Sequence, residues 1–121
     1  MREYIINLDL HGGDFAPNSV LEGARIAKLK YPNIKFQLHS TSDCYDKFKK
    51  RYSDLFTSSK WIEAEIYISS EMKPSDALKK DFRKSSMSNA INQLKHDKTQ
   101  ITISAGNTGA MMAYSTIYLR T

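Results

Sequence analysis

The sequence predicts an α/β protein with a mainly parallel sheet and helices on both faces of that sheet. Short apolar runs of strand length alternate along the chain with segments of helical apolar spacing, as in repeated βαβ units. Two predicted strands end in glycine-containing turns, at residues 12–13 and 106–109. In parallel sheets, ligands bind at the carboxyl ends of the strands. We therefore expect a ligand site where these two turns meet.

The strands are predicted from apolar runs near residues 4–9, 34–39, 63–69 and 100–104. Strict alternation from Ile62 to Ile68 makes the third an edge or half-exposed strand, because only one of its faces is apolar. Helical spacing predicts helices over residues 17–30, 42–52, 74–83, 87–95 and from 108 onward. Pro17 suits the first position of a helix, and residues 74–83 and 87–95 form one or two helices, divided at Ser85-Ser86.

The composition is that of an ordinary soluble globular domain or part of one. The 121 residues are 40% hydrophobic and 26% charged, and no apolar run approaches the length of about 20 residues that a membrane span needs. Cys44 is the single cysteine and no signal peptide precedes the first strand, so a cytoplasmic location is expected. The net charge of +5 suits an acidic partner or an anionic substrate, and no nucleic-acid partner is predicted.

The turn at residues 106–109 has the residue types of an anion-binding turn. Gly106 and Gly109 lack the Cβ atoms that would block close approach of a ligand to the backbone. Asn107 and Thr108 can cap the following helix, whose free amides favour an anion. The same residues also suit a capping turn without a ligand, and both interpretations stay open.

Other familiar sites do not fit the spacing. Gly12 and Gly13 are adjacent, unlike the three spaced glycines of dinucleotide-binding proteins, and no P-loop lysine or nucleophile elbow follows either turn. The three histidines are too far apart for a metal motif, so no metal and no cofactor is predicted. Asp9 and Asp14 are the carboxylates nearest to the candidate site, and each suits a catalytic or a capping role.

A series of motifs spans essentially the whole chain. In order, they are Leu8-Asp9, Gly12-Gly13-Asp14-Phe15-Ala16-Pro17, Glu22-Gly23-Ala24, Pro74-Ser75 with Ala77, Ser85-Ser86-Met87 and Ser104-Ala105-Gly106-Asn107-Thr108-Gly109-Ala110. These motifs resemble those of the PlsX family, the phosphate acyltransferases of bacterial phospholipid synthesis. The last motif is specific to that family.

The resemblance implies transfer of a fatty acyl group from acyl carrier protein to inorganic phosphate, without a cofactor. The acyl phosphate then serves a membrane glycerol-3-phosphate acyltransferase. Also implied are a homodimer, a cytoplasmic protein at the membrane periphery, and a three-layer α/β/α fold similar to phosphate acetyltransferases and isopropylmalate dehydrogenases. Candidate ligands of substrate and phosphate are Gly12, Gly13, Asp14, Ser86, Ser104, Gly106, Asn107, Thr108 and Gly109. Lys79 and Arg83 are candidate charge partners, and also suit a solvated helix face.

The chain departs from the family pattern at Leu10-His11, at His39-Ser40 and at Asp97, where the family has small residues, methionine or glycine. Family members are also much longer. We therefore expect residues 1–121 to be the N-terminal part of a single α/β acyltransferase domain, with little activity by themselves. Two alternatives stay open: an inactive fragment that binds only carrier protein or phosphate, and a nucleotide-binding enzyme on a related α/β scaffold.

Overall fold

The structure, a computed structural model, describes residues 4–97 and 100–119. Its strands are β1 (Tyr4–Asp9), β2 (Ile34–Ser40), β3 (Lys60–Glu63) and β4 (Ile101–Ser104). Its α-helices are α1 (Asn18–Lys30), α2 (Ser42–Phe48), α3 (Ser53–Ser58), α4 (Pro74–Ala77), α5 (Ser86–His96) and α6 (Thr108–Leu119). A 3₁₀ helix at Lys80–Lys84 lies between α4 and α5.

The four strands form one parallel sheet in the order β3-β2-β1-β4. In the centre, Leu8 of β1 lies opposite Leu38 of β2 and Ile103 of β4. Because all strands run in the same direction, the turns that follow β1 and β4 lie at the same edge of the sheet. The predicted α/β class with a parallel sheet is confirmed, and the arrangement fits a three-layer α/β/α architecture.

One face of the sheet is apolar. Leu8 and Leu38 pack there with Leu21 of α1, and Phe48 of α2 and Leu55 of α3 extend the same buried cluster. These helices follow β1 and β2 directly, so the first half of the chain covers this face.

The opposite face, under α5, is mainly polar. It carries Asn7, Asp9, His39, Thr102 and Ser104 on the three adjacent strands. His39 Nε2 lies 2.9 Å from Asn7 Oδ1, and Asn7 Nδ2 donates to Gln100 Oε1 at 2.6 Å. Thr102 Oγ1 donates to the carbonyl of Ala90 in α5 at 2.6 Å. The helix is therefore held to this face by hydrogen bonds as well as by the apolar cluster that Met87 and Ile91 form with α6.

The predicted third strand is wrong in position. β3 covers Lys60–Glu63 rather than residues 63–69, although it does lie at the edge of the sheet. Its pairing ends where Glu63 lies opposite Ser40, the last residue of β2. Farther along, Ile66 makes an isolated bridge to Ser85, and Ile68 is buried without belonging to a strand. The alternation thus reflects burial beyond the point where a strand partner exists.

The predicted helix over residues 42–52 is also corrected, because the chain forms two short helices, α2 and α3. Tyr52 leaves the helical region, with φ of −115° and ψ of 38°. A continuous helix would stack Lys47 on Arg51, and like charges four residues apart destabilise a helix. The predicted helix over residues 74–83 likewise divides, into α4 and the 3₁₀ helix.

At the other edge of the sheet, β4 leaves apolar side chains uncovered. Ile101 and Ile103 are 52% and 47% exposed, on the face that α1 covers elsewhere. An apolar cavity of about 310 Å³ lies beside them, with Val20 and Phe36 among its walls. Within the described ranges, none of the helices has both the length and the apolar character to cross a membrane.

Candidate functional site

The two glycine turns touch at the carboxyl edge of the sheet. Gly12 and Gly13 follow β1 with φ of +83° and +100°, a region that favours glycine. A Cβ atom on Gly106 would lie 3.3 Å from the Cα atom of Gly12, and a Cβ atom on Gly12 would overlap Gly106. The turns are therefore at the same end of the sheet and in contact, as predicted.

Several backbone amides at this edge have no protein partner. Within residues 4–97 and 100–119, the N–H groups of Gly12 and Gly13 donate no hydrogen bond. In the same ranges, the N–H groups of Thr108 and Gly109 in the first turn of α6 are also without an acceptor. Free amides in a positive-φ turn and at a helix N-terminus attract anions.

Asp9 is the buried centre of this edge, with only 1% of its surface exposed. Its Oδ1 accepts hydrogen bonds from the Ser86 hydroxyl at 2.6 Å and from the His11 amide at 3.1 Å, and its Oδ2 accepts from the Ser104 hydroxyl at 3.0 Å. Burial raises the pKa of the Asp9 carboxyl to about 6, against the opposing effect of these three hydrogen bonds. Asp9 joins the end of β1 to α5 and β4, so it fixes the position of both turns.

His11 lies beside the first turn with its ring stacked on Tyr67, at a centroid distance of 4.3 Å and an interplanar angle of 11°. Its Nε2 lies 2.6 Å from the Ser40 hydroxyl oxygen and accepts from the Thr41 amide at 3.4 Å. Because a backbone N–H can only donate, the imidazole proton is on Nδ1. Burial lowers the pKa of His11 to about 4, so the ring is neutral at physiological pH.

A crevice of about 410 Å³ opens at the carboxyl ends of β1 and β2. It is lined by His11, Gly12, Gly13, Ala16, Pro17, Thr41, Asp43, Cys44, Lys47, Phe48, Tyr67, Ser69 and Ser70. Burial raises the pKa of the Cys44 thiol, which makes it a poor nucleophile. The lining thus offers backbone amides, hydroxyls and the cation of Lys47 beside the Asp43 carboxylate, and its amides, hydroxyls and cation are groups that position an anion rather than attack a substrate.

The sequence family described as fatty acid synthesis protein matches residues 4–121, which include both glycine turns and Asp9. This chain belongs to that family. The match confirms the resemblance that the motifs indicate.

Relatives of this fatty acid synthesis family member include named enzymes. The phosphate acyltransferases of Sinorhizobium fredii (strain NBRC 101917 / NGR234) and Rhizobium meliloti (strain 1021) are each 40% identical to it over 116 residues, or 96% of the chain. The phosphate acyltransferase of Parvibaculum lavamentivorans is 37% identical over 119 residues, or 98% of the chain. The chain spans about a third of the length of these curated relatives, 33% in each case.

The polar side chains predicted as site residues of this family member make internal hydrogen bonds. The hydroxyls of Ser86 and Ser104 point to Asp9, and Ser104 Oγ also accepts from the Gly106 amide at 3.1 Å. Asn107 Oδ1 accepts from the Ala110 amide at 3.0 Å and so caps α6. Asn107 Nδ2 donates to the carbonyls of Ser69, at 3.3 Å, and of Met72. These side chains therefore shape the edge that the free amides occupy.

The other predicted residues differ in their surroundings. Gly109 lies against Pro74, where a Cβ atom would overlap the proline ring. Thr108 and Asp14 are exposed, and Asp14 accepts no hydrogen bond from the described residues, so it does not cap α1. Gly12 and Gly13 are the members of the predicted set that line the crevice.

The predicted charge partners Lys79 and Arg83 lie on exposed positions around the 3₁₀ helix, outside the crevice lining. Lys79 is paired there with Asp76 at 3.2 Å. Sequence reasoning passed over His11, Lys47 and Tyr67, which do line the crevice. The cluster of cations at residues 47–51 could have indicated Lys47 as a binding residue. No sequence pattern predicts the stacking of Tyr67 on His11.

Proposed function

We propose that this chain carries the phosphate-binding part of an acyltransferase that moves a fatty acyl group from acyl carrier protein to inorganic phosphate. The observation that carries the proposal is the contact between the two glycine turns, at an edge of the sheet where four amides have no partner among the residues that the structure describes. Inorganic phosphate is the anionic substrate that such amides suit. The relatives named phosphate acyltransferase support the same reaction class.

The reaction needs positioning more than a reactive side chain. A phosphate oxygen attacks the thioester carbonyl carbon, the new C–O bond forms, and the C–S bond breaks as the carrier thiolate leaves. The proton of hydrogen phosphate passes to that thiolate, so the products are an acyl phosphate and the free carrier thiol. Hydrogen-bond donors aimed at the oxyanion intermediate supply the rate enhancement. This accords with a crevice whose histidine is neutral and whose cysteine is protonated.

The proposed roles follow the positions of the residues. The amides of Gly12, Gly13, Thr108 and Gly109 hold phosphate. Asp9, Ser86, Ser104 and Asn107 position those amides through the hydrogen bonds described above. Gly106 keeps the two turns in contact, and Asp14 and the Thr108 hydroxyl lie on the exposed side, where they can meet substrate.

The wider role follows from the family resemblance. A homodimer at the membrane periphery in the cytoplasm, delivering acyl phosphate to a membrane glycerol-3-phosphate acyltransferase, is part of the proposal. Lys79 and Arg83 remain candidate charge partners of the carrier. A second basic segment, at residues 47–51, lies beside the crevice.

Phosphate binding is the direct test. Sodium phosphate is titrated into the ¹⁵N-labelled chain, with sodium chloride at equal ionic strength as the control, and the amide resonances are followed by NMR. We expect saturable shifts at Gly12, Gly13, Thr108 and Gly109, and none at Gly23, which is exposed on α1. Shifts at these glycines with a nicotinamide nucleotide, and none with phosphate, would favour the nucleotide-binding alternative and overturn the proposal.

A further inference from the structure

A dense basic segment follows α2, at residues 47–51. Lys47, Lys49, Lys50 and Arg51 are all exposed there, which places four cations within five positions. Asp46 lies 3.8 Å from Lys49, in an exposed pair that neutralises little of this charge. The segment therefore presents a concentrated positive surface.

The basic segment is anchored by its own aromatic residues. Phe48 and Tyr52 are buried in the apolar cluster beside the sheet. The Lys47 ammonium lies 5.5 Å from the centre of the Phe48 ring, and the Arg51 guanidinium lies 5.5 Å from the centre of the Tyr52 ring. These cation–π contacts restrict the side chains and hold the charges on the outer side of the rings.

The position of the segment links it to the candidate site. Lys47 and Phe48 line the crevice, so the basic segment forms part of its rim. A partner bound to the segment would lie directly beside the crevice and the amides of Gly12 and Gly13 that line it. The other basic stretch, residues 79–84, lies outside the crevice lining. Both stretches have acidic neighbours in exposed pairs, so their position relative to the crevice is what distinguishes them.

We propose that the basic segment at residues 47–51 is the docking surface for an acidic carrier protein, whose thioester-bearing arm then enters the crevice. This inference rests on the proposed function, in which the acyl donor is an acidic carrier. Charge complementarity orients such an encounter and raises its rate. A membrane surface fits less well, because Phe48 and Tyr52 are turned into the core and cannot insert between lipids. A single-stranded nucleic acid fits less well for the same reason, because the rings are not free to stack on bases.

Charge reversal tests the docking surface. We compare the unchanged chain with the triple variant Lys49→Glu, Lys50→Glu, Arg51→Glu, which leaves the crevice-lining Lys47 intact. The matched control is Lys35→Glu, Lys60→Glu, Lys95→Glu, at exposed positions away from the crevice, which changes the net charge equally. Circular dichroism confirms that all three proteins fold. Affinity for acyl carrier protein is measured at about 0.05 M and about 0.5 M salt, because salt screens exposed charges.

We expect the reversal at residues 49–51 to weaken carrier binding about tenfold or more at low salt, with a smaller change in the control and little remaining salt dependence in the variant. An equal loss in the control, or an unchanged affinity in the variant, would overturn the inference. So would tighter binding of the unchanged chain to vesicles of phosphatidylglycerol and phosphatidylcholine than to the carrier, if the reversal abolishes it.

The phosphate titration separates this inference from the proposed function. If the glycine amides respond to phosphate and the reversal leaves carrier binding unchanged, the docking surface is wrong and the proposed function stands. If the unchanged chain binds neither phosphate nor carrier, both are wrong.

Discussion

The Asp9 carboxylate and the Ser86 hydroxyl lie 2.6 Å apart and connect the end of β1 to the first residue of α5. Ser104 and the His11 amide bind the same carboxylate, so three segments converge on one buried group. Removing the carboxylate leaves donors without an acceptor, whereas replacing it with an amide of equal size removes the charge and exchanges one acceptor oxygen for a donor. The hydroxyl that faces this donor can turn to accept from it, so the second substitution tests mainly the charge.

For Asp9→Ala we expect a loss of about 2 to 4 kcal/mol in the free energy of unfolding, because the buried donors lose their acceptor. For Asp9→Asn we expect stability at pH 8 equal to or above that of the unchanged chain. The pKa of Asp9 rises from 3.8 to about 6 on folding, so its contribution is fully present below pH 3.8 and is lost as the pH rises through 6. Urea unfolding at pH 5 and pH 8 measures both effects, and a larger advantage of Asp9→Asn at pH 5 than at pH 8 would contradict this account.

The buried histidines should act in the opposite direction. Burial lowers the pKa of His11 and His39 from 6.5 to about 4, so their contribution to stability is present above pH 6.5 and is lost as the pH falls toward 4. Two such groups outweigh Asp9 between pH 6 and pH 4, and the chain should lose stability on acidification. NMR titration of the imidazole Cε1 protons should give midpoints near 4 for both residues. A midpoint above 6 for either would show that its burial is overstated.

The contact between the glycine turns should make Gly12 intolerant of any side chain. Gly12→Ala forces an alanine into φ of +83° and its Cβ into Gly106, so we expect a loss of about 2 to 4 kcal/mol in the free energy of unfolding. The control is Gly23→Ala, which meets nothing within 4 Å in α1. That change should stabilise the chain by about 0.5 to 1 kcal/mol, because alanine favours a helix. Equal effects of the two changes in thermal unfolding would argue against the contact.

Asn107 performs two tasks that can be separated by mutation. Asn107→Asp keeps the oxygen that caps α6 and loses the donors to Ser69 and Met72, whereas Asn107→Ala loses both. We expect losses of about 1 to 2 kcal/mol for the first change and about 3 kcal/mol for the second. Thr108→Ala, at an exposed neighbouring position, should cost less than about 0.5 kcal/mol. Urea unfolding gives all three values, and a cost for Thr108→Ala as large as that for Asn107→Ala would refute the assignment.

The sequence predicts those parts of the fold in which local pattern and tertiary pairing agree. β1, β2 and β4 lie where the apolar runs indicate, because each run ends at the point where its pairing ends. β3 fails this condition, since the alternation continues to Ile68 while β2 supplies no partner beyond Ser40. Alternation reports that one side of a segment is buried, and it does not report which backbone lies beside it.

The candidate site was predictable as a meeting of two turns but not in its details. Glycines and small polar residues after two parallel strands are local signals, and they locate the edge correctly. The stacking of Tyr67 on His11 depends on a loop of the irregular segment after β3, and no local pattern encodes that contact. The sequence suggests Ser86 and Ser104 as hydrogen-bond donors to substrate. In the structure both hydroxyls donate to the Asp9 carboxylate, which lies 77 residues before Ser86 and 95 residues before Ser104 in the sequence.

The polar face under α5 disfavours other registers of β4 against β1. If β4 slipped by one residue along β1, Ile103 would take the place of Ser104 beside Asp9, and a buried carboxylate would meet hydrocarbon. The same slip would also turn Ile103 away from the apolar face, because side chains alternate between the two faces of a strand. Hydrogen bonds are directional, so the same slip breaks the bond from Thr102 to Ala90 as well. The buried polar residues thus favour a single strand register, on which the contact of the two turns depends.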